Sequence, residues 1–226
     1  MKQILLLTAF IFLYTISFGQ NKNETGTKAK THDPKAKGVL DKVSVKTKAF
    51  KTIKADFVVS REDKKSTKKD TQKGSLWIKG SKYKLDIMGT ITFCDGKTRW
   101  AYIKESKEVN ITEPDLKNDK LVDPSKIFTI YEKGYKYTYI SEKFEDGLQL
   151  HEIDLYPEDL KQKVSRITLQ IEKNEMRIHS VKYIEKDGVI YTVKIAKFLP
   201  DTEISDADVT FNKANFPGAE IIDMRD

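Results

Sequence analysis

The sequence predicts a mainly β, α+β fold: a large antiparallel sheet, curled or barrel-like, of about ten or eleven short strands with two helices packed on one side. The reading rests on a period, a connectivity and two interruptions. From Phe50 almost to the C-terminus, apolar residues recur at every second position, the spacing of a half-buried strand. The runs follow one another through turn signals such as Asp95-Gly96 and Asp187-Gly188, without the intervening helices of a parallel βαβ unit. Two stretches break the period, and each opens on Asp-Pro, at Asp33-Pro34 and Asp123-Pro124, a helix start with Asp as N-cap and Pro at the first helical position. With 226 residues, 38% of them hydrophobic and 23 of them aromatic, the chain has the apolar matter for one real core, which excludes wholesale disorder.

In chain order, Lys2 and the 15-residue apolar run Ile4–Phe18 come first. A membrane-spanning helix needs about 20 apolar residues, so this run reads as a secretory signal peptide over 1–19, with small Ser17 and Gly19 before the cut. Residues 20–33 are polar and aperiodic and read as a disordered linker, leaving one domain over 34–226. Leu40, Val43, Thr47 and Phe50 fall near one face of a helix over about 34–48. Ala55, Phe57 and Val59 mark the first strand, and Glu62–Lys73, without an apolar residue, an exposed hairpin connection. Leu76-Trp77-Ile78 and then Tyr83, Leu85 and Ile87 mark the next two strands. Ile91 and Phe93 lead into Asp95-Gly96, which predicts a type I′ hairpin, and Trp100 and Tyr102 return from it. Val109 and Ile111 suggest a further strand. Ile127, Phe128, Ile130 and Tyr131 make a short apolar helix over about 124–132, ended near Gly134. Strands resume with Tyr135, Tyr137 and Tyr139; Leu148 and Leu150; Ile153 and Leu155; Ile167, Leu169 and Ile171; Val181 and Tyr183; Tyr191, Val193 and Ile195. Val209 and Phe211 are expected to form the last strand.

The chemistry-bearing residues are sparse. A single cysteine, Cys94, excludes a disulfide framework and a cysteine zinc site, and is expected as a buried free thiol in a strand. His32, His151 and His179 are far apart, and the last two are expected as surface or edge imidazoles. Glu152 and Asp154 share one strand face, where two carboxylates could serve acid–base work; a solvated outer face is the expectation. There is no GxSxG, no glycine-rich phosphate loop and no HExxH. The net charge of +7 is mostly lysine spread along the chain. The run Lys64, Lys65, Lys68 and Lys69 lacks interleaved aromatics, which argues against nucleic acid. The residues therefore point away from an enzyme and from any cofactor or metal. By pattern alone, the helices over the apolar sheet face are either a permanent core layer or a lid over a cavity.

Four segments in order, Leu40-Asp41-Lys42-Val43, Phe50–Phe57 (FKTIKADF), Gly74–Lys79 (GSLWIK) and Asp95–Trp100 (DGKTRW) followed by Tyr102, resemble the LolA family of periplasmic outer-membrane lipoprotein carriers, in a form similar to those of Bacteroidetes. The specific part of the resemblance covers residues 39–102, and strand order continues it to 226. It implies an unclosed antiparallel β-barrel covered by a helical lid, with the acyl chains of a lipoprotein between them. The implied acyl-binding residues are Leu40, Val43, Phe50, Phe57, Tyr83, Leu85, Ile87, Phe93, Trp100, Ile127 and Phe128. The implied partners are lipoproteins, an inner-membrane ABC-type exporter that loads the carrier, and a candidate outer-membrane receptor; the protein would work as a monomer in the periplasm. The family has an Arg after the LWxK strand that ties lid to barrel. Here the stretch is Lys79-Gly80-Ser81-Lys82, and Lys79, without the planar fork of Arg, is the nearest substitute for a latch. A second reading stays open: an envelope-stress sensor or regulator that binds lipidated or misfolded envelope proteins with the same half-barrel.

The signal-peptide reading predicts a mature chain that starts near Gln20 and carries no lipid. Intact-mass analysis of the exported protein checks this: loss of residues 1–19 with no added diacylglycerol is expected.

Overall fold

The structure is a computed structural model that describes residues 32–63, 69–114, 130–132 and 134–225. The proposed signal peptide, most of the linker, and Ile127 and Phe128 lie outside the described residues. Of the expected second helix, a single 3₁₀ turn, Ile130–Glu132, falls within them.

Helix α1 spans Pro34–Ala49. Asp33 starts it as the Asp-Pro signal requires: its Oδ1 accepts hydrogen bonds from the backbone N–H groups of Lys35 at 2.8 Å and Ala36 at 3.3 Å. Lys46 and Lys48 stand in its last turn, where the helix dipole favours positive charge. Ala36, Val39, Leu40 and Val43, at the i, i+3, i+4, i+7 spacing of one face, are buried.

Twelve strands form one sheet. They are β1 (Thr52–Asp63), β2 (Lys69–Lys79), β3 (Lys82–Ile87), β4 (Thr90–Cys94), β5 (Arg99–Ile103), β6 (Glu108–Thr112), β7 (Tyr135–Glu145), β8 (Leu148–Pro157), β9 (Val164–Glu172), β10 (Arg177–Glu185), β11 (Val189–Pro200) and β12 (Glu220–Asp223). The order across the sheet is β12-β6-β5-β4-β3-β2-β1-β11-β10-β9-β8-β7. The ends β12 and β7 are not neighbours, so the sheet is unclosed. All pairings are antiparallel except β12 with β6, which is parallel.

Several local expectations are corrected. Within the polar stretch 62–73 the described residues, 62–63 and 69–73, are strand: β1 and β2 keep register through Ser60 with Thr71, Arg61 with Asp70 and Glu62 with Lys69, because backbone pairing needs no apolar side chains. Asp95-Gly96 is not a type I′ turn. Only Gly96 has positive φ, and Asp95 Oδ1 instead accepts from Lys97 and Thr98 N–H at 2.8 and 2.7 Å, making a wider side-chain-closed loop. Val209 and Phe211 are not a strand. Asp208 Oδ2 accepts from the Ser205 N–H and hydroxyl, which folds Ala207–Val209 into a 3₁₀ turn. The real last strand is β12.

The core lies on the sheet face that α1 covers. Val39, Leu40 and Val43 belong to one buried cluster with Ile53, Phe57 and Val59 of β1, Leu76 and Ile78 of β2, and Ile153, Leu155, Ile167, Leu169 and Ile171 of β8 and β9. Asp33 also fixes the helix to the edge of the sheet. Its N–H donates to the Tyr137 carbonyl at 3.2 Å, and its Oδ2 accepts from the Tyr139 N–H at 3.1 Å. One residue therefore caps α1 and pairs with β7. Burial works against ionisation of this carboxyl, but the N–H groups of Tyr139, Ala36 and Lys35 outweigh it and hold the pKa below the ordinary 3.8.

Asp33→Ala should destabilise the fold by about 0.5–2 kcal/mol, the usual cost of losing a helix cap. Because the folded pKa is depressed, the carboxylate contributes its stability above the unfolded pKa, and that contribution is lost as pH falls through the folded value. Thermal melts of parent and variant should differ at neutral pH and converge in acid.

Candidate functional site: an apolar trough under α1

Strand phase decides which residues share the apolar inner face of the sheet. Phe57 of β1 sits opposite Gly74 of β2, and a Cβ at Gly74 would lie 2.5 Å from Phe57 Cζ and 2.7 Å from Cε2. The Phe57 ring therefore lies flat against the β2 backbone, and only glycine leaves it room. That contact joins two segments of the sequence resemblance, the phenylalanine of FKTIKADF and the glycine of GSLWIK. Next along the sheet, Leu76 opposes Leu85, and Ile78 opposes Tyr83, which opposes Cys94. Cys94 is a buried thiol whose Sγ accepts from the Gly96 N–H at 3.4 Å.

Leu40, Val43, Phe57 and Tyr83 are buried in the core cluster, and Phe50, Leu85 and Ile87 pack half-buried against it. The structure brings these seven of the expected lining residues to one face. Phe93 and Trp100 lie on the other face. Trp77, Lys84, Phe93 and Trp100 are successive cross-strand partners, one residue out of phase with the inward row. There the segment after β11 covers them: Phe211 stacks on Trp100 at 5.8 Å and on Phe216 at 5.5 Å, and both phenylalanines meet Phe93 edge-on. Lys84 Nζ lies 4.0 Å from the Trp77 ring centre. The sequence does not mark this second layer, because the alternation of Val209 and Phe211 reads as a strand and Phe216 belongs to no periodic run.

Lys79 does not reach α1. Its Nζ donates to the Ile204 carbonyl at 2.9 Å and pairs with Asp206 at 2.7 Å, so it holds the segment after β11. Other groups hold the helix. Ser44 donates to Glu132 at 2.9 Å, and Lys48 pairs with the same carboxylate at 2.6 Å. Lys46 pairs with Glu175 at 3.1 Å, and the Tyr131 hydroxyl lies 3.4 Å from Asp41. Burial, with Asp41 and Glu132 nearby, pushes the Tyr131 phenol up to about 12, so it remains a neutral donor.

The imidazole of His151 is not at the surface. It is 5% exposed, its Nδ1 is 2.8 Å from the Tyr139 hydroxyl, and burial lowers its pKa. Nor is Asp154 solvated: it accepts from Thr168 at 2.6 Å, Arg166 at 3.1 Å and Tyr156 at 3.2 Å on the sheet face away from α1. Both side chains are held by named partners, as members of a structural network are. Among the described residues no cluster of three or more His, Cys, Asp or Glu could hold a metal, and no helix is long and apolar enough to cross a membrane.

The model of the outer membrane lipoprotein carrier protein LolA matches residues 26–187, well over half of the chain. The chain belongs to the LolA family. No curated protein matches at the sequence level. Among solved structures, an uncharacterized conserved protein from Thermus thermophilus superposes with a TM-score of 0.58 at 12% identity, covering 84% of this chain and 99% of that one; the likeness is one of fold. A LolA superfamily protein from Nitrosomonas europaea gives 0.43 at 10% identity over 81% and 99% of the two chains, and LprF from Mycobacterium bovis 0.48 at 13% over 78% and 97%.

Gly74→Ala should force the Phe57 ring off the β2 backbone, and overpacking of this kind costs about 1–3 kcal/mol. Chemical denaturation should show that loss, and Gly74→Ala combined with Phe57→Leu should recover part of it.

Proposed function

We propose that this LolA-family chain is a periplasmic carrier that takes the acyl chains of lipoproteins between the inner sheet face and α1 and shuttles them from the inner to the outer membrane. The observation that carries the reading is the unequal construction of the helix–sheet contact. Its centre is apolar: Leu40 and Val43 share one buried cluster with Phe57, Leu76 and Ile153. Its margins are exposed ion pairs, Lys46 with Glu175 and Lys48 with Glu132. Exposed pairs contribute about 0–1 kcal/mol each, so the margin opens cheaply, whereas each acyl CH₂ withdrawn from water gains about 0.8 kcal/mol. Such a contact suits a cargo that must be hidden and later released. An inner-membrane ABC-type exporter would load it and an outer-membrane acceptor would receive it; the carrier itself performs no covalent chemistry.

Leu85 tests the trough. It packs on the core from β3, while its neighbour Lys84 faces the Trp77 side. Leu85→Glu places a charge against hydrocarbon, at a cost of a few kcal/mol, so co-purified lipoprotein per mole of folded carrier should drop about tenfold or more. Lys84→Gln should load like the parent. Normal loading of Leu85→Glu would refute the trough as the cargo site.

A further inference from the structure

Tyr139 stands where the helix start, the sheet edge and a buried imidazole meet. Its backbone N–H donates at 3.1 Å to Asp33 Oδ2, the carboxylate that caps α1. Its ring lies under the Lys35 ammonium, with Nζ 3.8 Å from the ring centre. Its hydroxyl lies 2.8 Å from His151 Nδ1 and 3.3 Å from Glu142 Oε1. Burial, with the Glu142 charge nearby, pushes this phenol up to about 12, so it keeps its proton. That single proton has two acceptors within reach, and the state of His151 sets which one it serves. With the imidazole neutral, Nδ1 accepts it. Once the imidazole is protonated both ring nitrogens are donors, so Nδ1–H donates to the Tyr139 oxygen and the hydroxyl turns to Glu142.

The charged groups around the ring come from three elements. β7 supplies one carboxylate, Glu142, with Oε1 3.9 Å from Nδ1. The turn after β9 supplies Lys173, which already holds Glu142 at 2.8 Å. α1 supplies Lys35, 3.9 Å from the same carboxylate, and Lys42. The Asp33 carboxylate is engaged by the N–H groups of Lys35, Ala36 and Tyr139. Burial first, and then these three lysines, outweigh Glu142 and hold the His151 pKa below the ordinary 6.5. Glu142, His151 and Lys173 are fixed by strand pairing, the last through its N–H to the Gln149 carbonyl at 2.9 Å. Lys35 rides on α1, which is tied to the sheet margin by single hydrogen bonds and exposed ion pairs. Of the groups that a new positive charge would repel, Lys35 is on the element that yields.

We propose that His151 is an acid-sensitive release for the start of α1: protonation of its imidazole draws the Tyr139 hydroxyl and Glu142 toward itself, repels Lys35 and loosens the first turn of the helix from β7. The buried neutral imidazole contributes fully to the helix–sheet contact above the unfolded pKa of 6.5. That contribution starts to fall below 6.5 and is gone once the pH is below the folded value. The Asp33 carboxyl titrates in a separate window, below 3.8. The release is a property of the cover itself and stands or falls without cargo; with the carrier reading, it means that acid favours unloading on the α1 side.

The test is hydrogen exchange of the full chain without ligand at about pH 7.5 and about pH 5.0, each rate divided by the unfolded-chain rate at that pH. Protection of the first two turns of α1 should fall about threefold to tenfold at the lower pH relative to β8 and β9, since one pKa unit is tenfold. His151→Asn, which offers an acceptor oxygen and takes no charge, should hold the α1 protection constant. Lys35→Gln, an exposed change, should shrink the acid loss to about twofold or less. His32, beside Asp33 with its ring 4.9 Å from that of Tyr137, is the other imidazole at the helix start, and His179 answers a different carboxylate, Asp146. His32→Gln should therefore respond like the parent. Equal α1 protection of the parent at both pH values overturns the proposal, as does an undiminished acid loss in His151→Asn or a loss that vanishes in His32→Gln. If His151→Asn does not fold, Lys35→Gln decides alone, and an acid loss equal to the parent's overturns the proposal.

Discussion

Everything in this molecule follows from a mismatch of area. Among the described residues, twelve strands at about 4.8 Å spacing make a surface about 50 Å across, whereas the one α-helix, of 16 residues, is about 24 Å long and about 10 Å wide. The inner row of each central strand is apolar, so the sheet presents more hydrocarbon-like surface than α1 covers. A closed barrel would solve this with its own side chains. This sheet stays open, and Phe50, Leu85, Ile87 and Tyr183 pack only half-buried against the core.

The position of the cover is set by few groups. Asp33 ties the helix start to β7, and Ser44, Lys46 and Lys48 tie the remainder to Glu132 and Glu175. No charge is buried in these ties, which separates them from the pairs on the far face. There Asp154 and Glu172, both buried, hold Arg166 and Arg177 and cannot be broken without stranding a carboxylate. The molecule is therefore stiff where strands meet strands and yielding where the helix meets the sheet.

Much of this was legible in the sequence because period-two alternation reports the strand face directly. Ala55, Phe57 and Val59, Tyr83 and Leu85, and Ile167, Leu169 and Ile171 all point inward as their spacing requires, and Asp33-Pro34 marks the helix start to the residue. The candidate site was less legible. Phe93 and Trp100 have the right chemistry for a trough wall, but one residue of register turns a side chain to the opposite face, and that register is fixed by neighbouring strands. The surroundings of His151 and Asp154 were hidden too, because burial of an isolated polar residue depends on partners distant in sequence, Tyr139 for one and Thr168 for the other. β12 has four residues and no alternation to betray it.

The strand order has a consequence for how the chain reaches this state. β1 to β6 form one run of sequential hairpins and β7 to β11 another, and the seam between them is the pairing of β1 with β11. Every other antiparallel contact is local and can form as the chain emerges, but the outer side of β1 must wait for β11, near the end of the chain. Until then a twelve-residue strand rich in Val, Phe and Ile offers an unpaired edge, the arrangement most open to pairing with another molecule. Closing the seam is thus a late, non-local step of folding, and it is also the step that joins the two halves of the inner sheet face.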